Sequence, residues 1–357
     1  MTAALPRGSV IGCLGTGQLG RMLALAAAPL GYRVHAFGPD PIGPTRQVTS
    51  LSTCANYDDE AALAKFAAVV DVVTYEFENV PAHTADFLAA RVPVRPGPSL
   101  LAVAQDRLLE KRFVARCGGR TARVRAVYGR DDLALAVRTL GLPAVLKTRR
   151  FGYDGKGQVV LRDAEPATLD AAWSALGGVP CILEGFVPFE LEASVVVARG
   201  LDGQTRCFPL VRNVHRNHVL WQTHAPAKVS PEVHAAARQT AVAMAERVGL
   251  VGVMAVEFFV LAGGELVVNE LAPRTHNSGH WTQDGCATCQ FEQQVRAVVG
   301  LPLGALDPVR PTVMTNLLGD EIDDLDGLLA DPSCRVHVYG KAHPRPGRKM
   351  GHVNRLS

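Results

Sequence analysis

The chain has 357 residues, 48% of them hydrophobic and 20% charged, with a formal net charge of +3. That length gives two or three domains with ample core, and the composition is that of a globular protein. So small a charge argues against a general nucleic-acid binder, and no apolar run approaches the length of a membrane span.

The opening "MTAALPRGSV" has no basic region followed by a long apolar stretch, so no secretory leader is read there and a cytoplasmic location is expected. The first third then alternates strand and helix signals. "SVIGCLG" reads as a strand, "GQLGRMLALAAAPLG" as a helix and "YRVHAFG" as a strand. "DDEAALAKFAA" is helical, "VDVVTYE" a strand and "AHTADFLAA" a helix again. Strands separated by helices predict a parallel sheet covered on both faces. "VRPGPS" marks a boundary. Beyond it come a charged helix, "QDRLLEKRFVARCG", the strand "PAVLKT", a glycine-rich stretch, the strand "QVVL", a helix around "ATLDAAWSAL" and the strand "CILEGFV". β-rich sequence runs to about residue 229, followed by a helix over 231–248, a hairpin over 251–271, a polar loop, the helix "CQFEQQVRAVVG" and a tail of short strands and turns. Eight scattered cysteines are too sparse for a disulfide scaffold and read as reduced thiols. Cys286 and Cys289 form one C-x-x-C, short of the four ligands that a structural zinc needs.

Five stretches bear on chemistry. In "GCLGTGQLGRM", Gly15, Gly17 and Gly20 have the G-x-G-x-x-G spacing, and such a turn before a helix offers N–H groups and a positive helix end to an anion. The acid that a dinucleotide site needs about twenty residues on is badly placed, since Asp40 lies beyond a Gly-Pro. A seat for a phosphate is favoured over NAD, with a turn that needs small residues for packing as the other reading. In "LKTRRFGYDGKGQVVL", Lys147 ends a strand, and Gly152, Gly155 and Gly157 follow in a loop that can fold over phosphates or be an ordinary hairpin.

"VMAVEFFVLAGGELVVNEL" carries two acids. If Gly263 and Gly264 make a two-residue turn, Ala262 pairs with Glu265, and counting outward sets Glu257 opposite Glu270. Facing carboxylates on apolar strands repel, and a divalent cation between them removes the conflict. A register shift that turns one acid to solvent is the alternative. "PRTHNSGHWT" then brings Arg274, His276 and Asn277 next to the acid-bearing strand. "YGKAHPRPGRKMGH" gathers Lys341, Arg345, Arg348 and Lys349, which form a solvated face or close over an anion.

In order, "GQLGRM", "YEFENVP", "QDRLLEKRF", "KTRRFGYDGKGQ", "EGFVPFELEASV", "NVHRNHVL", "VEFFV", "VVNELAPRTHNSGHWT" and "YGKAHPRPGRKMGH" resemble the 5-(carboxyamino)imidazole ribonucleotide synthetase family, ATP-grasp enzymes of purine biosynthesis. The resemblance covers nearly the whole chain. It implies an α/β, three-part architecture: an N-terminal parallel-sheet (pre-ATP-grasp) domain over 1–105, an ATP-grasp domain over 106–300 and a small β-rich C-terminal domain over 301–357. It also implies ATP-dependent joining of bicarbonate to the amine of 5-aminoimidazole ribonucleotide through carboxyphosphate, with ATP and one or two Mg2+ ions, in a homodimer.

Residue by residue, it sets Arg107 and Lys147 on ATP, the loop Gly152, Tyr153, Asp154, Gly155, Lys156, Gly157 and Gln158 over the phosphates, and Glu184, Gly185, Phe186 and Val187 as a strand edge for adenine. Glu192 takes the ribose hydroxyls, His215 lines the pocket, Asn269 joins the ATP site, and Glu257 and Glu270 hold the metal. Tyr153, Asp154, Arg274, His276 and Asn277 surround bicarbonate and the amine, with Asp154 the candidate base. Lys341 and Arg348 take the ribonucleotide phosphate, aided by Gln18. Two departures stand out: Thr275 replaces the family's proline, and the chain stops at "GHVNRLS" where relatives continue with a strand and a helix, as if truncated. A biotin carboxylase-type or formate-using ATP-grasp ligase would share the nucleotide site but differ at "HNSGH" and "PRPGRKMGH". A dehydrogenase would rest on the opening glycines alone, and a non-catalytic binding protein would leave the acid pair and lysine without a purpose.

Overall fold

The computed structural model describes residues 3–152 and 155–356, so Tyr153 and Asp154 lie outside the described residues. Among the described residues the strands form three sheets.

The first sheet holds β1 (Val10–Leu14), β2 (Arg33–Gly38), β3 (Leu51–Cys54) and β4 (Val72–Tyr75), all parallel, in the order β3-β2-β1-β4. β1 and β4 are buried at every residue, as the unbroken apolar text of a doubly covered parallel strand requires. One face packs Leu63, Phe66 and Leu88 from the helices Glu60–Ala67 and Ala82–Ala89. The other packs Leu23, Ala24 and Ala27 of Gln18–Ala27 together with Val295, Val298 and Val299 of the distant helix Gln290–Val299. The short edge strand β3 has no counterpart in the sequence reading.

The second sheet is antiparallel: β5 (Val124–Val127), β6 (Ala144–Thr148), β7 (Gln158–Leu161) and β8 (Cys181–Gly185), in the order β5-β8-β6-β7. Helices Arg130–Leu140 and Pro166–Ala175 cover one face with Leu133, Val137, Leu169 and Ala172. The sequence reading named only the second of these.

The third sheet has nine strands: β9 (Phe189–Arg199), β10 (Thr205–Cys207), β11 (Val211–Arg216), β12 (Val219–Ala225), β13 (Gly252–Leu261), β14 (Leu266–Ala272), β15 (Thr312–Leu318), β16 (Cys334–Val338) and β17 (Lys349–Leu356). Their order is β14-β13-β9-β11-β12-β15-β17-β16, with β10 on β9. Helix Pro231–Arg247 lays Val233, Ala237, Ala241 and Met244 on one face. Through the pairing of β12 with β15, the last strands of the chain extend the same sheet.

The Gly-Gly hairpin differs from its predicted form. Leu261 N donates to the Glu265 carbonyl at 2.8 Å and Gly264 N to the Leu261 carbonyl at 2.9 Å, so Leu261, not Ala262, pairs with Glu265 across a three-residue loop. Gly263 and Gly264 have φ of 85° and 86°, which side-chain-bearing residues resist. That shift would carry the acids out of line. A bulge restores them: between the pairs Phe258–Val268 and Val256–Leu271, Glu257 alone faces Asn269 and Glu270.

Candidate active site

A cleft of about 980 Å³ opens between the second and third sheets and is lined from all three regions of the chain. Gln18, Glu76, Glu78 and Asn79 come from the N-terminal region and Lys349 from β17. The remaining lining includes Arg107, Lys147, Gly152, Gly155, Lys156, Gln158, Glu184, Gly185, Phe186, Val187, Glu192, His215, Glu257, Asn269, Glu270, Arg274, His276 and Asn277. Gly157, Lys341 and Arg348 are absent from this wall. Gly157 stays in the glycine loop, its carbonyl accepting from Thr148 N at 2.9 Å. Lys341 Nζ donates to the Lys349 carbonyl at 2.6 Å, and Arg348 donates to the His343 carbonyl at 2.7 Å.

At the metal-ligand candidates, Glu257 and Glu270 both face the cleft. His276 Nε2 lies 3.0 Å from Glu257 Oε1. Burial works against the Glu257 carboxylate, but the imidazoles of His276 and His215 outweigh it and hold its pKa below the usual range. Glu270 goes the other way: its withdrawal from bulk water and then the charge of Glu257 push it up, with Arg107 at 3.9 Å as partial relief. The Glu270 side chain is still 47% exposed, into the cleft. Two facing carboxylates, one of which opposes the ionisation of the other, suit a shared cation. No group of three or more His, Cys, Asp or Glu that could hold a metal occurs among the described residues. These two acids therefore fit an ion that takes one or two protein carboxylates and completes its shell with phosphate oxygens.

Next to them, Lys147 Nζ sits 2.6 Å from Glu184 Oε2 and Lys111 Nζ 3.1 Å from Glu184 Oε1. Glu184 is almost wholly buried, yet the two lysines overcome that desolvation and bring its pKa down to about 2. Its strand is not an edge, which corrects the sequence expectation. β8 lies between β5 and β6, Gly185 N donates to Arg123 O and Phe186 N to Pro143 O, so the first N–H past the ladder is that of Val187. Phe189 and Phe259, stacked at 4.5 Å, join Val145, Val160, Phe186 and Leu220 in an apolar slot beside it. Deeper in, His215 Nδ1 lies 2.5 Å from Glu192 Oε2. Burial lowers the His215 pKa, but its bond to Glu192 and the charges of Glu192 and Glu257 raise it overall.

Gly152 and Gly155 of the glycine stretch each have a close neighbour. Arg107 donates to the Gly152 carbonyl at 3.1 Å, and a Cβ on Gly155 would meet His218 Cβ at 2.4 Å. His218 and Asn217 form the β11–β12 turn with φ of 65° and 49°, the left-handed pair of a tight hairpin.

On the far side, Arg274 pairs with Glu78, which holds the Glu78 carboxyl at about 2 despite its burial, and Arg274 also donates to the Thr275 carbonyl at 2.9 Å. Asn277 is committed elsewhere: its amide exchanges two bonds with Asn316, at 2.9 and 2.8 Å. His276 is gripped by Gln290, which accepts from its N–H at 2.9 Å and donates to its carbonyl at 2.7 Å.

The opening glycine turn is a second correction. Its donors are filled by the protein itself: Gly17 N reaches Glu76 Oε1 at 2.6 Å and Gly20 N reaches Glu76 Oε2 at 3.0 Å. A Cβ on Gly15 would lie 2.2 Å from Glu76 Cγ, so the small residues make room for an internal carboxylate, not for a ligand phosphate. Gln18 alone of that loop's predicted residues reaches the cleft. The sequence reading gave no role to Glu76, Glu78, Asn79, Lys111, Phe189 or Phe259; "YEFENVP" and "QDRLLEKRF" carried the signal for four of them.

A cleft between two antiparallel sheets, with a glycine loop, a lysine and two facing acids, defines an ATP-grasp protein, and residues 112–291 match the ATP-grasp domain family. Residues 9–105 match the ribonucleotide synthetase preATP-grasp domain, and 312–357 the phosphoribosylaminoimidazole carboxylase C-terminal domain. The chain belongs to the N5-carboxyaminoimidazole ribonucleotide synthase family. It is 47% identical over 353 residues to the synthase of Brucella melitensis, covering 99% of this chain and 98% of that one. It is 46% identical to the bifunctional purine synthesis protein purC/E of Dictyostelium discoideum, of which it spans 37%. An ADP complex of an N5-carboxyaminoimidazole ribonucleotide synthetase superposes with a TM-score of 0.96 at 43% identity, covering 100% of this chain and 94% of that one. The Aspergillus clavatus synthase, in complex with ADP and 5-aminoimidazole ribonucleotide, gives 0.92 at 28% identity, covering 98% and 94%.

Proposed function

We propose that this chain joins bicarbonate to the amine of 5-aminoimidazole ribonucleotide at the expense of ATP, giving N5-carboxyaminoimidazole ribonucleotide, ADP and phosphate. The observation that carries the reading is the facing of Glu257 and Glu270 across the β13–β14 bulge, beside Lys147 and the glycine loop, in a cleft that Gln18 and Lys349 also line. The family's ADP and ribonucleotide complex supports the same pair of ligands. The homodimer and the cytoplasmic location stand on the resemblance, and no helix among the described residues is long and apolar enough to cross a membrane.

The chemistry asks for positioning and charge more than covalent help. Adenine fits the apolar slot with the Val187 N–H at its rim, and Glu192 takes the ribose. Mg2+ on Glu257 and Glu270 supplies neutralisation of the phosphate charge when bound. Lys147 and the loop N–H groups hold the terminal phosphoryl in line with bicarbonate. A bicarbonate oxygen takes that phosphoryl and ADP leaves. Arg274, whose orientation Glu78 fixes, faces the carboxyphosphate; the amine then attacks its carbonyl carbon, phosphate departs and the amine proton passes to a base. Asp154 is the candidate base, and the mixed anhydride must be kept from water until the amine attacks.

ADP release should need bicarbonate and 5-aminoimidazole ribonucleotide together. Release indifferent to the ribonucleotide but driven by biotin, or by formate with another ribonucleotide, would replace this reading with that of a sister ligase. Glu270→Gln should lose about 100-fold or more in Mg2+-dependent ADP formation while keeping its circular dichroism; undiminished turnover would remove the metal role.

A further inference from the structure

β14 is the outermost strand of the third sheet, so one side of its backbone has no neighbouring strand to bond. Other groups take that place. Val268 N donates to the Arg120 carbonyl at 2.7 Å, Lys111 Nζ donates to the Asn269 carbonyl, and Leu271 N donates to Glu110 Oε1 at 2.6 Å. Glu110 and Lys111 are consecutive residues of helix Arg107–Arg116, and they grip the main chain on either side of Glu270.

Their placement is specific. Glu110 is 2% exposed and Lys111 3%, and neither lines the cleft. Burying an acid and an amine is costly unless both are bonded, and here each is bonded to a main-chain group that the strand edge would otherwise leave unpaired. What these two add is a fixed backbone where the ladder itself is weakest, because at the bulge one residue of β13 faces two of β14. Lys111 also reaches Glu184, whose other oxygen holds Lys147, so the grip on Asn269 is continuous with the cleft lysine.

We propose that Glu110 and Lys111 are positioning residues, which lock the Asn269–Glu270 bulge so that the Glu270 carboxylate meets, together with Glu257, a divalent cation brought by the nucleotide. The inference rests on the reading of Glu257 and Glu270 given above. It assigns the aim of Glu270 to two side chains that touch neither cation nor nucleotide.

The test is Mn2+ binding to the full chain in the presence of ADP, followed by the electron paramagnetic resonance of free Mn2+. Glu110→Met keeps the buried volume and removes the acceptor; Glu110→Gln keeps an oxygen for Leu271 N. Glu110→Met should weaken Mn2+ by about tenfold or more, the effect expected when a support behind a metal ligand is lost. Glu110→Gln should stay within about twofold of wild type. In turnover, Glu110→Met should raise the Mg2+ activation constant while kcat at saturating Mg2+ holds, a split that a general loss of packing would not produce. If Glu270→Gln loses Mn2+ but Glu110→Met binds it normally, the positioning role is wrong and the metal pair stands. If Glu270→Gln binds Mn2+ as wild type does, the metal pair is wrong and the positioning role goes with it. Should Glu110→Met not fold, Lys111→Met, which removes the other arm, is read by the same criteria.

Discussion

At the residue scale, the buried acids are where the molecule departs most from what a linear reading exposes. Glu76 fills the glycine turn from 59 positions away, and Glu110 looks in sequence like one more charge on a polar helix. Nothing local marks either as buried, because the elements that enclose them are far along the chain. Their titration follows from their partners. Glu184, held at about 2 by Lys111 and Lys147 against its burial, contributes stability that is present above the usual glutamate range and is lost as pH falls toward 2. Glu110 has the opposite sign. Burial raises its pKa to about 8, Lys111 offsets this in part and the charge of Glu270 adds to it. Its folded state holds a proton that its unfolded state gives up above about 4.5, so stability falls as pH rises through the interval up to about 8. Glu110→Gln removes that dependence. In metal-free buffer, wild type should lose of order 2 kcal/mol more than Glu110→Gln between pH 6 and pH 8, read as urea midpoints at constant m. Parallel losses in the two proteins would place the carboxyl in its ionised form throughout.

At the element scale, the parallel N-terminal strands were legible as unbroken apolar runs and helix Pro231–Arg247 by its length, whereas helix Arg130–Leu140 was not read. The facing of Glu257 and Glu270 was reached by counting from the wrong turn. The loop is one residue longer than a two-residue turn, and the bulge at Asn269 and Glu270 absorbs the difference. A bulge leaves no composition signature, so nothing in the hairpin sequence pointed to it. The resemblance sets Lys341 and Arg348 on the ribonucleotide phosphate; in the structure β17 begins at Lys349 and carries that side chain to the cleft wall. The glycine loop gives the prediction that belongs here. Gly155 has φ of 77° and a would-be Cβ at 2.4 Å from His218 Cβ, so its position against the β11–β12 turn is open only to glycine. Gly155→Ala should lift the loop off that turn and lower kcat/KM for ATP by about tenfold, with a change in global stability of about 1 kcal/mol or less because few other contacts depend on it. A thermal midpoint several degrees lower at unchanged kcat/KM would make the contact structural and not catalytic.

At the scale of the whole molecule, one sheet carries the nucleotide acids and the C-terminal strands together. β12 pairs with both β11 and β15, so His215 on one strand and Lys349 on β17 belong to a single surface, and a buried polar network joins its parts: Asn277 to Asn316, Asn213 to Ser194, and Ser194 to Ser278. The chain thus brings a basic group from its end to the mouth that Gln18 and Glu78 approach from its beginning. On the function proposed above, this arrangement separates the two substrates: ATP would lie between the second and third sheets, and the ribonucleotide would be met by Gln18 and Lys349 from the two ends of the chain. Lys349 should therefore report on one substrate only. Its main chain is held by Lys341 Nζ at 2.6 Å, which fixes where β17 starts. Loss of one charge-assisted contact to a phosphate is worth about 1.5–3 kcal/mol, or roughly a 10- to 100-fold change. Lys349→Ala should raise KM for 5-aminoimidazole ribonucleotide by that factor and leave KM for ATP within about threefold. Arg348→Ala is the control, since its guanidinium donates to the His343 carbonyl and is absent from the cleft wall. A larger rise from Arg348→Ala than from Lys349→Ala would move the phosphate seat to the outer loop, and the loop between β16 and β17 would then have to close inward when the ribonucleotide binds.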